Sequence, residues 1–337
     1  MYKELPIEMR LKFEPTINSN GKTIQGVSPV DKTTYWLYDF GEDCDCFFEC
    51  FNNPFSELYQ TDILNMPAKY VFRGHKFAEW DLLPSAFRNL NLEGNENELN
   101  VLKSGNGHVL PELKDFVNFI KGLNGLGYKI EEETFKLINS LEDENFISSR
   151  LINDFPKESQ LKELALAQHY GVPTRLLDFT FNPNVAMFFA GESVKHPKKF
   201  DDSKIGIWAI PERLIDLSRE DFFIDRIFVQ GYQNQNMIAQ KGLFINYFYG
   251  RAIDDSLFDV SGKITSLDKY LYQNKRRADN QLLVDKKIGK PCLFTLSHRA
   301  VWQLFQRLEN MDINWYTIQP DLEGIKKEVE RRRVVRK

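Results

Sequence analysis

The stretch from Ser159 to Ala190 carries the tightest punctuation in the chain, and it limits what the chain can fold into. Leu161, Leu164, Ala165 and Gln168 recur at helical spacing. Gly171 stands where a left-handed C-terminal cap would, and Pro173 follows two residues later. Thr174-Arg-Leu-Leu-Asp-Phe-Thr180 then reads as a short strand. Asn182 is a capping side chain and Pro183 sits at the first position of a second helix. Val185, Ala186, Phe188 and Phe189 give that helix an apolar face.

Further strands are expected over Thr33–Phe40, Lys69–Gly74, Ile205–Ile210, Gly242–Phe248 and Leu293–Leu296. Helical spacing covers Pro111–Leu126, Glu131–Leu151 and Ala300–Glu309, with a charged helix after Gly324. Strands interspersed with helices without regular βαβ spacing predict an α+β fold. The expected organisation is a small β-containing N-terminal element over residues 1–60 and a main domain over 66–330. A mostly helical insertion lies at about 91–158, and a basic tail over 325–337. The tail holds seven basic and two acidic residues. It suits a solvated helix end, where cations complement the dipole, or a contact with nucleic acid or an acidic partner.

Composition excludes several classes. The 27 Phe, 13 Tyr and 5 Trp supply a large core, which rules out a disordered chain or a small disulfide scaffold. A net charge of −4 argues against a dedicated nucleic-acid binder. No apolar run approaches the ~18–20 residues that span a bilayer. The first residues contain no apolar core of a secretory signal, so a cytoplasmic location is expected. Cys44, Cys46 and Cys50 form C-x-C-x3-C without a fourth ligand nearby, so no zinc is expected. The five histidines lack metal-ligand spacing. Signatures of serine hydrolases, P-loop enzymes, Rossmann dehydrogenases and zincins are absent.

What remains is polar residues inside apolar segments. Arg73 follows Tyr70-Val-Phe and precedes Gly74; an arginine there is costly unless paired. Its guanidinium fork suits phosphate oxygens, and the glycine permits close backbone approach by a ligand. Arg175 and Asp178 flank Leu176-Leu177, as an ion pair fixing a turn or as part of a site. Gln240 precedes Gly242 and an aromatic strand, as a turn cap or a ligand contact.

Tyr70-Val-Phe-Arg-Gly-His75 and Trp80-Asp-Leu-Leu-Pro-Ser-Ala-Phe-Arg88 resemble the opening of the FRG-domain family, named for its Phe-Arg-Gly motif. The block from Leu164 to Ala190 resembles that family's central signature. Gln240-Lys-Gly-Leu-Phe244 and Pro320-Asp-Leu-Glu-Gly324 resemble two later ones. The likeness spans roughly residues 66–330. His75 stands where the family pattern has glutamine, and Phe179 where it has tryptophan. The order Arg73-Gly74, then Thr180 before a helix rich in Ala and Phe, then Gln240, is also similar to ADP-ribosyltransferases of the arginine–serine–glutamate type. Gln240 departs from the glutamate of that pattern.

This second resemblance implies an ADP-ribosyltransferase-like mixed sheet core and NAD as substrate. Arg73 would grip phosphate, Thr180 would orient Arg73 or the ribose, and Gln240 would hold a ribose hydroxyl. Tyr70 or Phe179 would stack on nicotinamide, with Gly74 allowing close approach and His169, Arg175 and Asp178 behind. The expected activity is cleavage of the nicotinamide–ribose bond or transfer of ADP-ribose to a protein or nucleic-acid acceptor. In bacteria such a protein would act as a toxin or anti-phage effector. The alternative is a non-enzymatic FRG module that senses a nucleotide or binds a partner.

Overall fold

A computed structural model describes residues 30–32, 34–54, 56–59, 68–88, 109–140, 155–194, 202–222, 224–228, 235–247, 264–277 and 291–335. Much of the expected helical insertion (91–108 and 141–154), residues 1–29 of the expected N-terminal element and the last two residues of the tail lie outside these described residues. The strands are β1 (Val30–Asp31), β2 (Trp36–Asp39), β3 (Tyr70–His75), β4 (Leu177–Thr180), β5 (Lys204–Pro211), β6 (Asp225–Ile227), β7 (Gly242–Asn246) and β8 (Cys292–Ser297). They form one mixed sheet in the order β1-β2-β8-β5-β3-β4-β7-β6. Only β2 with β8 is parallel; the other neighbours are antiparallel. With helices on both sides, this is an α+β architecture. The N-terminal β residues join the sheet's edge through β8.

The helices are α1 (Cys44–Asn52), α2 (Ser85–Arg88), α3 (Val109–Gly125), α4 (Glu132–Ser140), α5 (Leu161–His169), α6 (Pro183–Gly191), α7 (Glu212–Phe222), α8 (Gln235–Ala239), α9 (Leu267–Arg277), α10 (Val301–Glu309), α11 (Trp315–Ile318) and α12 (Leu322–Val335). Side chains alternate across a strand, so the sheet has two distinct faces. On one, Phe72, Ile207, Ala209, Phe294 and Leu296 pack with α1, α6 and α10. On the other, Val71, Phe179, Trp208, Ile210, Leu243 and Leu293 pack with α7 and α9. A third apolar cluster joins α3, α4 and α5 to Leu176, Ile227 and Phe244. Strand β5 is buried at every position from Ile205 to Ile210, because helices cover it on both faces.

The central block folds as its punctuation dictates. Gly171 takes φ +85° after α5, where a Cβ would be strained. The Asn182 side chain accepts from Asn184 N at 3.0 Å and Pro183 opens α6. The strand before it is shorter than the sequence suggests. Residues 174–176 are spent on side-chain bonds instead of a ladder. Among the described residues no helix is long and apolar enough to cross a membrane.

One ladder is incomplete, and it positions the site. β3 pairs with β5 along its whole length, and β4 with β7 along its own. Between β3 and β4 the ladder is a single pair, Phe72 with Thr180. Beyond that pair the sheet opens between Arg73–His75 and Leu177–Phe179.

Candidate functional site

The opening is bridged by a side chain. Arg73 Nη1 donates to the Asp178 carbonyl at 2.6 Å and lies 3.5 Å from the Asp178 carboxylate. Its Nε donates to His75 Nε2 at 3.1 Å. That bond requires Nε2 to be an acceptor, so the ring proton sits on Nδ1, 3.2 Å from the Trp80 carbonyl it donates to. His75 is therefore neutral, and it fixes Arg73 on one side and the Trp80 turn on the other. Burial pushes the His75 pKa down to about 3, and the charges of Arg73 and Arg88 push in the same direction.

Asp178 is held from behind. Gln168, in the last turn of α5, donates to its Oδ1 at 2.6 Å. The Thr174 hydroxyl donates in turn to the Gln168 side-chain Oε1. Thr174 is tied to α2: Ser85 Oγ donates to its carbonyl at 3.2 Å and accepts from its N–H at 3.1 Å. One network thus connects β3, β4, α2 and α5. Arg73 keeps 15% of its side-chain surface exposed and Asp178 60%, so the pair lies at a mouth facing solvent. Burial lowers the Arg73 pKa, while Asp178 opposes that shift.

The family model of the FRG domain matches residues 68–199. This chain carries an FRG domain. The whole Arg73 network lies inside it, whereas Gln240 lies beyond. No curated protein and no solved structure matches the chain.

The FRG domain does not gather every residue named from the sequence. Phe72 and Thr180 are partners and share a face. Arg73, one residue on, leaves β3 on the opposite face beside Trp208, and its guanidinium reaches across the opening to Asp178 and not to Thr180. Thr180 and Gln240 do meet: the Thr180 hydroxyl donates to the Gln240 carbonyl at 2.6 Å and accepts from Asn182 N at 2.9 Å. The Gln240 amide donates to the Ile318 carbonyl at 3.1 Å. Thr180 thus braces the turn into α6 and does not orient Arg73.

Other assignments change for packing reasons. Arg175 is fully buried and pairs with Glu112 on α3 at 2.7 Å, not with Asp178. It also donates to the Phe155 carbonyl and stacks over that ring at 5.2 Å. It anchors the helical insertion and stands apart from the Arg73 opening. Burial raises the Glu112 pKa and Arg175 pulls it back. A Cβ on Gly74 would lie 2.0 Å from the Ala186 carbonyl, so the glycine admits α6 and not a ligand. Phe179 is 3% exposed within the apolar core, and Tyr70 packs with Phe72 on the face away from Arg73, so neither can stack on a ligand held there. His169 is exposed and its ring abuts Tyr170; its neighbour Gln168 makes the contact to Asp178.

Gln168, Thr174, Ser85, Trp80 and Arg88 are the residues that sequence reasoning passed over. All lie in the motif segments that carry the FRG resemblance, which was the one available signal. The four cysteines are free and buried, and among the described residues no cluster of His, Cys, Asp and Glu could hold a metal.

Proposed function

We propose that the FRG domain binds NAD or a related nucleotide with its phosphates on Arg73. Catalysis, if the bound nucleotide is turned over, breaks the nicotinamide–ribose bond. The observation that carries the reading is the setting of Arg73. Its Nε is fixed by a neutral histidine, its Nη edge is turned to the opening, and a half-exposed aspartate is the anion facing it. A guanidinium so held grips phosphate with little loss of freedom.

In the cleavage reaction nicotinamide leaves with the bonding electron pair. The oxocarbenium-like ribose cation is captured by water or by an acceptor. No strong base is needed to break this bond, so positioning and exclusion of stray water are the protein's tasks. A toxin or anti-phage effector acting through NAD depletion or ADP-ribosylation fits the same chemistry.

A second reading, binding without turnover, is favoured by one observation. Thr180 and Gln240 engage each other and Ile318, with Thr180 on the face away from Arg73. Incubation of the purified protein with NAD, with nicotinamide measured by chromatography, separates the two. Release that falls roughly a hundredfold in Arg73→Ala supports the enzyme, because a lost charge-assisted clamp costs about 2–4 kcal/mol at the transition state. Binding with no release supports the sensor.

A further inference from the structure

A second guanidinium is carried by the helix bonded to the Arg73 network. Arg88 ends α2 and is exposed. Its Nε donates to the Leu83 carbonyl at 2.9 Å, which sets the plane of the group. Among the described residues its two terminal nitrogens have no partner. The helix that carries it is fastened to Thr174 by three bonds, two from Ser85 and one from Ala86 N to the Thr174 carbonyl at 3.1 Å. Thr174 reaches Asp178 through Gln168. Both arginines and the aspartate are therefore fixed by one framework. Burial lowers the Arg88 pKa, the charge of Arg73 lowers it further, and Asp178 opposes both.

The charge balance is uneven. The network carries two guanidiniums and one carboxylate, and the His75 bonded to Arg73 is neutral. The Asp178 carboxylate stands 3.5 Å from Arg73, with its side chain 60% exposed and its other oxygen retained by Gln168. Exposed pairs of this kind are weak, so a better anion can take its place.

We propose that Arg88 is the second half of a phosphate clamp, and that a phosphate or diphosphate group bridges Arg73 and Arg88 where the Asp178 carboxylate now faces Arg73. This rests on the reading of Arg73 as a phosphate-binding residue. Two forks with a combined charge of two match a phosphate dianion or a diphosphate; a carboxylate ligand satisfies only one of them. Trp80 adds an aromatic face. Its carbonyl is held by His75, and its indole, 47% exposed, offers a surface to a ring attached to the phosphates. The ligand class is therefore a nucleoside diphosphate or dinucleotide.

Titration calorimetry of the full chain with inorganic pyrophosphate, and separately with NAD, tests the clamp. Arg88→Ala should weaken pyrophosphate about tenfold or more, with Arg88→Lys restoring only part of the loss. Asp178→Asn keeps the Gln168 bond but removes the competing charge, and should tighten pyrophosphate about threefold or more. Adenosine, which has no phosphate, should not compete with pyrophosphate. Circular dichroism and melting of Arg88→Ala should match wild type, since the side chain is exposed. Unchanged pyrophosphate affinity in Arg88→Ala, with affinity lost in Arg73→Ala, overturns the clamp and leaves the Arg73 reading standing. Failure of wild type to bind either pyrophosphate or NAD overturns both. Competition by adenosine overturns the phosphate-based ligand class.

Discussion

His75→Gln is the perturbation whose outcome can be worked out most fully. His75 is buried, accepts from Arg73 and donates to Trp80, and its pKa is pushed from 6.5 to about 3. A base with a depressed folded pKa binds fewer protons folded than unfolded between those two values. Its stabilising effect is therefore complete above about pH 6.5 and is lost as pH falls toward 3. At about 1.36 kcal/mol per unit, the neutral ring's preference amounts to about 5 kcal/mol over the whole window, and to about 2 kcal/mol between pH 7 and 5. Glutamine offers one acceptor and one donor but does not titrate, so it preserves both bonds. Urea unfolding of wild type and His75→Gln at pH 7 and pH 5 cancels the carboxylates common to both. Wild type should lose about 2 kcal/mol more than the variant on acidification. Equal losses would refute the neutral, buried histidine and, with it, the fixed orientation of Arg73.

Gly74→Ala places a Cβ against the Ala186 carbonyl, so α6 must shift; a loss of about 1–3 kcal/mol is expected in chemical denaturation. Arg175→Ala leaves Glu112 buried without its partner and should cost about 3–5 kcal/mol, whereas Arg175→Met with Glu112→Leu should recover much of it. Cys44, Cys46 and Cys292, with thiols pushed up to about 12 by burial, should resist alkylation at pH 8 until the protein is unfolded, as read by mass spectrometry.

The parts of this fold that were legible in the sequence are those governed by local chemistry. Gly171 and Asn182-Pro183 announce a helix end and a helix start because their own backbone and side chains determine those geometries. Arg73 stood out for the same reason, as a charge inside an apolar strand. What stayed hidden depends on partners far along the chain. Glu112, which neutralises Arg175, is 63 residues away. Gly74 does signal close approach, but nothing local says that α6, and not a ligand, approaches. Whether Arg73 and Thr180 share a face is set by the register of β3 on β4, and one residue of offset reverses it. Gln168 sits in a recognisable motif, yet its contact with Asp178 emerges only when α5 packs beside β4.

The most direct test of the central claim, that Arg73 holds a nucleotide phosphate, is calorimetric titration of the full chain with NAD up to millimolar concentration, in wild type and Arg73→Ala. Saturable binding by wild type, weakened at least about tenfold in a variant that melts normally, is the predicted result. No binding by wild type, or equal binding by both proteins, would contradict it.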